Sequence, residues 1–316
     1  MEKTTIGLAL GGGAARGWAH IGVIRALEEA GIRPDIIAGT SIGAVVGGCC
    51  AAGALEPVED FARSLTRRKV FGYLDFNLAG TGLISGQRLC RELAGNLGET
   101  RIEELGIAFT AIATEIGTGH ELWLSRGRLV DAIRASYALP GIFRPVAING
   151  RWLFDGALVN PIPVSVCRAM GARYVIAVNL NSDMYGRGTV VPNLSATETA
   201  ASAPATTTSP PENRSALKLL QRQFFGGNES VPGISRVMID AFNIVQDRIA
   251  RSRLAGDPPD AIISPRLSGF SPFDFHRADE LIALGHQAAR REIEEISHAL
   301  HGTRVNAMED AQAPAL

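Results

Sequence analysis

Charge of one sign, metal-ligand spacings, long apolar runs and repeats are all missing from this 316-residue chain, and each absence excludes something. A formal net charge of −1 provides no bulk positive field for capturing nucleic acid, so no nucleic-acid partner is expected. The only cysteines are Cys49, Cys50, Cys90 and Cys167. Two are adjacent and none is spaced as a metal-ligand pair, so they read as free thiols of a reducing compartment, with no metal and no other cofactor expected. The first 30 residues hold no basic segment leading into an unbroken apolar core, because Arg16 and His20 interrupt the only candidate. No run approaches the ~18 uncharged apolar residues of a spanning helix. The expectation is a cytoplasmic protein whose closest approach to lipid is peripheral, at the inner membrane face.

What the chain does have is an α/β rhythm. Hydrophobic residues make up 46% of it, enough at this length for a sizeable core. Thr5 to Leu10 is an apolar run of strand length, followed by helical spacing of Ile21, Ile24 and Leu27 up to Gly31. Asp35 to Ala38 reads as a second buried strand, Ile107 to Thr114 and Glu121 to Leu124 as further ones, and Gln87–Leu97 and Leu129–Ala138 as helices. Asn149-Gly150 between Pro145–Ile148 and Arg151–Phe154 signals a hairpin with a type I′ turn. Val164–Met170, Tyr174–Leu180, Ile234–Leu254, Asp260–Ser264 and His276–Leu300 continue as helix, strand, helix, strand and helix. In Ile234–Leu254 the apolar side is read as Val237, Ala241, Ile244 and Ile249. The fold class expected is α/β, one domain with a mainly parallel central sheet flanked by helices.

The second strand runs into Gly39-Thr40-Ser41-Ile42-Gly43 and then a helix of small residues ending at Gly53. This is G-x-S-x-G between a strand and a helix, the turn that exposes a nucleophilic serine in a strained conformation. The first strand meets Gly11-Gly12-Gly13-Ala14-Ala15-Arg16-Gly17. A dinucleotide fingerprint would need glycine at Arg16, and a phosphate-binding P-loop would need lysine at Trp18. A third use fits better: backbone amides of Gly13 and Ala14 form an oxyanion hole for a carbonyl attacked by Ser41. In a parallel sheet both loops leave the same carboxyl edge, where open α/β folds bind ligands.

A catalytic serine needs a proton acceptor. None of His20, His120, His276, His286, His298 and His301 sits at a clean strand end. Asp155 does, before Gly156 and Ala157, which permit close approach. Its alternative reading is a capping or turn aspartate.

Gly12 to Gly17, Gly39 to Gly43 and Asp155-Gly156-Ala157, in that order, resemble the three signature blocks of the patatin-like phospholipases. The flanks Arg16–Gly22 and Asp155–Pro163, with Ala255–Asp260 further on, are similar to the bacterial subgroup resembling the catalytic domain of neuropathy target esterase. The resemblance covers most of residues 4 to 300. It implies a patatin-like fold and a Ser-Asp dyad without a histidine: Ser41 as nucleophile, Asp155 as base, and the amides of Gly12, Gly13 and Ala14 as oxyanion hole. Arg16, Gly17, Gly39, Gly43, Gly156 and Ala157 are the remaining motif positions. The substrate implied is a carboxylic ester of a phospholipid or lysophospholipid, cleaved through an acyl-serine intermediate. Ala14 departs from the pattern, since many members have glycine there, and its amide serves only if the position does not demand positive φ.

An aspartate with the ordinary pKa of ~3.9 is a weak base for a serine hydroxyl, which favours esters over amides. Arg16 is either a structural clamp pairing with a carboxylate beneath the glycine loop or a contact for a phospholipid phosphate. Two other readings of the whole chain stay open: a Ser-Asp-His triad using His276 or His286, and a non-catalytic protein binding an anion or lipid in the glycine loop. From about 185 to 230 the composition turns to Ala, Thr, Ser and Pro, which reads as a flexible insertion. Within it, Ser215 to Phe225 is a short amphipathic piece, either packed on the core or lying on lipid. Residues 302–316 read as a disordered tail.

Overall fold

The structure, a computed structural model, describes residues 4–73, 87–183 and 234–310. The turn-rich loop at 80–86, the insertion at about 185–230 with its amphipathic piece, and residues 311–316 lie outside the described residues. The chain divides into one unit of Met1–Met184 with Phe242–Leu316 and a second of Tyr185–Ala241. Of the second, the described residues are the opening turns of a helix that starts at Ile234.

The first unit is built on an eight-stranded sheet: β1 (Ile6–Leu10), β2 (Ile36–Thr40), β3 (Ala108–Glu115), β4 (Glu121–Leu124), β5 (Val146–Ile148), β6 (Arg151–Asp155), β7 (Tyr174–Val178) and β8 (Ala261–Ile263). The order is β5–β6–β3–β2–β1–β7–β8, with β4 also paired to β3. β1, β2, β3, β7 and β8 are parallel to their neighbours, and β4, β5 and β6 are antiparallel. The mainly parallel expectation holds, with an antiparallel flank. The hairpin is as read: Asn149 (φ 50) and Gly150 (φ 75) both take the positive φ of a type I′ turn.

The central strands read as unbroken apolar runs because both faces are covered. On one face Leu8 and Leu10 pack with α1 (Ala19–Glu29), α2 (Ile42–Ala51) and α9 (Ala278–Asp310). On the other, Ala9 and Ala38 pack with Val166 and Cys167 of α7 (Val164–Ala169) and with Ala250 of α8 (Ile234–Gly256). The remaining helices are α3 (Leu55–Ser64), α4 (Arg67–Tyr73), α5 (Gln87–Leu97) and α6 (Leu129–Ser136). Asp260, in the last stretch that carried the family resemblance, accepts the Val175 N–H (2.6 Å) and pairs with Arg168 (2.7 Å), which pins β7 beside β8.

Two elements differ from expectation. α8 turns its predicted apolar side outward: Val237 and Ile244 are 47% and 46% exposed, whereas Gln246, Asp247 and Ala250 are buried. The buried side is chosen by what it meets, and it meets the polar loop around Gly12. The closing helix, expected to end near Leu300, runs through Gly302 to Asp310, where a disordered tail was read. A single glycine costs only ~1 kcal/mol inside a helix and does not by itself end one.

The register of β3 positions everything that follows. Ile112 pairs with Thr40 of β2 and with Trp123 of β4; the next residue, Ala113, pairs with Asp155 of β6 and with Leu122 of β4. β4 therefore holds one edge of β3, and β2 and β6 meet end to end on the other. The last residue of β2 and the last residue of β6 become neighbours.

α1 and α9 are in close contact through two glycines. A Cβ on Gly22 would run into Ile282 O, and one on Gly285 into Ala19 O. Gly22→Ala must push these helices apart, an overpacking cost of about 1–3 kcal/mol. Its melting temperature is expected to fall, whereas Gly256→Ala, with open space around it, should leave it nearly unchanged. Equal melting curves for the two variants would show that the seam does not set helix spacing.

Candidate active site

The turn between β2 and α2 places Ser41 in the left-handed region, at φ 57 and ψ −123. A non-glycine residue there carries strain of order 1–3 kcal/mol, held only where surroundings over-determine it. Three contacts do so. The Ser41 N–H donates to Ser136 Oγ at the end of α6 (2.9 Å), and Thr40 Oγ1 donates to Asn160 O (2.8 Å). At Gly43 a Cβ would collide with Leu10 O, so only glycine lets α2 start this close to β1. Gly39 lies within β2, under the first turn of α2.

Ser41 Oγ donates to Asp155 Oδ2 at 2.6 Å, and Asp155 Oδ1 accepts the Ala157 N–H at 2.9 Å. The capping reading of this aspartate holds, since one oxygen caps the 3-10 turn Gly156–Leu158, while the other oxygen meets the serine. Its backbone is fixed on both sides, with its N–H donating to Ala138 O (3.0 Å) and its carbonyl accepting Thr114 Oγ1 (2.8 Å). Gly156 is required because a Cβ would enter Ile112 O. Asp155 is 1% exposed. Burial drives its pKa up to about 7, against the smaller downward pull of the bonds from Ser41 and Ala157. The ordinary carboxylate value assumed from sequence is thus corrected: the carboxyl titrates near neutrality because the charged form has lost its water.

The glycine loop divides the three amides that the resemblance grouped together. Gly12 N–H donates to Pro161 O (3.0 Å), so it is not a free donor, and this corrects its expected place in the oxyanion hole. The N–H groups of Gly13 and Ala14 have no partner among the described residues. Ala14 does adopt positive φ, at 50. The condition attached to its alanine therefore fails, and the alanine holds left-handed backbone at a strain cost of about 1–2 kcal/mol.

Gly12 contributes its missing side chain. A Cβ there would lie 3.5 Å from Ser41 Cβ, 3.4 Å from Ala157 Cβ and 2.5 Å from Gln246 Nε2. Arg16 is fully buried, and its Nε donates to Gly13 O (3.2 Å). Its guanidinium is not presented to solvent, which speaks against the phosphate contact, and the bond it shows is to the loop's own carbonyl. Gly17 follows in the same 3-10 turn, Ala14–Trp18.

His20 is also buried, with Nε2 on Gly11 O at 2.7 Å, and burial pushes its pKa down to about 4. A neutral ring donating from Nε2 steadies the carbonyl just before the loop. His276 accepts from Arg67 Nε (3.0 Å) and His286 pairs with Glu29 (3.0 Å). Among the described residues no histidine bonds to Ser41 or Asp155, so the geometry does not assemble the alternative Ser-Asp-His triad. Burial also pushes the thiols of Cys49, Cys50 and Cys167 up to about 12. Among the described residues no group of His, Cys, Asp and Glu could hold a metal ion, and no helix is long and apolar enough to cross a membrane.

Sequence reasoning missed Ser136, His20 and Gln246. Ser136 ends a helix and His20 stands in the first turn of one, and neither is marked by its local pattern. Gln246 could have been found as the one uncharged polar residue on an i, i+4 line with Ala250 and Leu254.

A family model described as "Patatin-like phospholipase" matches residues 8–168. The chain belongs to the patatin-like phospholipase family. It is a lipid acyl hydrolase of the phospholipase type. An NTE family protein of Mycobacterium bovis is 34% identical over 92% of this chain and 91% of its own length. The lysophospholipase nte1 of Emericella nidulans is 35% identical over 56% of this chain, which spans 12% of that longer protein. A solved structure, VipD from Legionella pneumophila, covers 93% of this chain and 67% of its own at 12% identity and a TM-score of 0.46.

The raised pKa has a consequence for stability. The folded state holds the Asp155 proton up to about pH 7, whereas an unperturbed aspartate gives its proton up near 3.8. The fold therefore binds more protons than the unfolded chain between these values, and stability falls as pH rises through that window. Asp155→Asn removes the loss. The melting temperature of the variant relative to wild type is expected to be higher at pH 8 than at pH 4; a difference independent of pH would mean that Asp155 is ionised throughout.

Proposed function

We propose that this protein hydrolyses carboxylic esters of phospholipids or lysophospholipids at Ser41, with Asp155 as the base. The observation that carries the proposal is the 2.6 Å bond from Ser41 Oγ to Asp155 Oδ2, made at a left-handed turn between a strand and a helix. Lysophospholipid is favoured as substrate class because the fungal relative carries the name lysophospholipase.

In the first half-reaction Ser41 Oγ attacks the ester carbonyl as its proton passes to Asp155 Oδ2. The oxygen that becomes negative is received by the unpartnered N–H groups of Gly13 and Ala14. Collapse expels the alcohol, which leaves with the proton from Asp155, and the acyl group stays on Ser41 as an ester. Water then attacks the acyl-serine and gives its proton to Asp155. Release of the fatty acid returns that proton to Ser41 Oγ. A carboxyl with a pKa near 7 is matched to both directions of this transfer, since base strength and availability balance near the working pH. The strained backbone of Ser41 keeps Oγ outside the helix that begins at Ile42, where the first amides of α2 add positive potential.

The test is labelling by a fluorophosphonate, read by intact mass, with kcat/KM for a soluble acyl ester measured in parallel. Wild type takes one adduct and Ser41→Ala takes none. Asp155→Asn loses about 10²–10⁴-fold in rate, the usual worth of a positioned base. For wild type, kcat/KM rises with pH as Asp155 ionises and levels off above about 7. His276→Gln and His286→Gln hydrolyse at the wild-type rate, and EDTA changes nothing. Loss of activity in either histidine variant would transfer the base to a triad. Absence of an adduct on folded wild type would end the esterase reading.

A further inference from the structure

The side of α8 that faces the glycine loop carries a polar group with nothing to hold. Gln246 is 2% exposed, and among the described residues its side-chain amide forms no hydrogen bond. The next residue, Asp247, is committed to Arg251 at 2.9 Å. A buried amide without a partner is costly, and one kept in that state beside a reaction centre points to a partner that comes and goes.

Its position says which partner. Gln246 Nε2 lies 2.5 Å from where a Gly12 Cβ would stand, and that same point is 3.5 Å from Ser41 Cβ and 3.4 Å from Ala157 Cβ. The amide is therefore no farther from Ser41 Cβ than the first two of these spans laid end to end. Ser41 and Ala157 are the residues that bond the Asp155 carboxyl. A group lying near both is on the side of the nucleophile where protons pass to and from Asp155, which is where the alcohol leaves and water arrives.

Water brings two O–H groups. One proton goes to Asp155 Oδ2, and the other O–H needs an acceptor if the oxygen is to be aimed at the acyl carbon. Nearby acceptors are engaged: Asp155 Oδ1 by the Ala157 N–H (2.9 Å), Ser136 Oγ by the Ser41 N–H (2.9 Å), Gly12 O by Asn181 Nδ2 (3.4 Å) and Gly13 O by Arg16 Nε (3.2 Å). No hydrogen bond fixes the Gln246 amide in either of its two orientations, so it is free to present Oε1.

We propose that Gln246 accepts the second O–H of the water that attacks acyl-Ser41, and so directs the acyl group to water. The proposal rests on the acyl-serine route above. The water oxygen bonds to the acyl carbon as one proton passes to Asp155 Oδ2, while the second proton stays on that oxygen, held by Gln246 Oε1. The bond from the carbon to Ser41 Oγ then breaks, Oγ takes the proton back from Asp155, and the fatty acid departs with the second proton. An alcohol has a single O–H, which it gives to Asp155, and gains nothing from Gln246.

The experiment uses the full chain, a p-nitrophenyl ester and added methanol. p-Nitrophenolate leaves unaided, so deacylation sets kcat, and fatty acid and methyl ester are both drawn from one acyl-enzyme. Gln246→Met keeps the length of the side chain and removes its oxygen. Expected is fluorophosphonate labelling of Ser41 at the wild-type rate, kcat lowered about 10²-fold with KM lowered in step, and acyl-Ser41 visible by intact mass. The ratio of methyl ester to acid rises by a similar factor. Because that ratio comes from a single intermediate, loss of folded protein does not move it, and Gln246→Ala serves if Gln246→Met folds too poorly to assay. Labelled Ser41 with the wild-type product ratio in both variants overturns the water site while the esterase stands. So does a fall in kcat/KM as large as the fall in kcat. A wild-type Ser41 that takes no label overturns both.

Discussion

The structure depends on two strands ending against each other on one edge of β3. β2 arrives in parallel and stops at Ile112; β6 arrives antiparallel and stops at Ala113. A serine just beyond one end and an aspartate at the other are thereby set within hydrogen-bond distance although 114 residues separate them in sequence. No flexible loop carries either backbone. Sheet hydrogen bonds fix both, and side-chain register has a period of two, so a one-residue slip of β6 would turn Asp155 to the opposite face.

What the register brings together, burial makes reactive. Among the described residues the Asp155 carboxyl accepts two hydrogen bonds, from Ser41 and Ala157, too few to replace the water it has lost, and its proton affinity rises accordingly. Around it the carbonyls of the glycine loop are held, not left free. Arg16 and His20 grip the carbonyls of Gly13 and Gly11, and Pro161 takes the N–H of Gly12. α8 brings a polar side over this region and is tied down by Arg253, which pairs with Glu121, which in turn accepts from Asn160. Donors that need no reorganisation at the moment of reaction are the main source of electrostatic stabilisation in such sites.

Much of the frame was legible. Strand, glycine loop and helix, and strand, serine turn and helix, are local patterns that survive folding, so the α/β frame and the places of the glycine loop and the serine turn could be read from residue order. The I′ hairpin that aims Asp155 was equally local. Three things were not. Gly12's amide is committed to Pro161, a partner about 150 positions away that no local pattern announces. The basicity of Asp155 is a property of its burial, which a strand end does not reveal. The inward side of α8 mixes Gln246 and Asp247 with the apolar Ile239 and Ala250, so hydrophobic periodicity did not single it out. In each case a tertiary neighbour overrode a local preference.

The separation of serine and aspartate along the chain bears on how the protein is made. A growing polypeptide has its nucleophile in place long before residue 155 emerges, and at that stage the hydroxyl is an ordinary serine with no acceptor. Only when the β5–β6 hairpin docks against β3 does it meet the carboxylate. On the dyad proposed above, competence to cleave an ester waits for that docking.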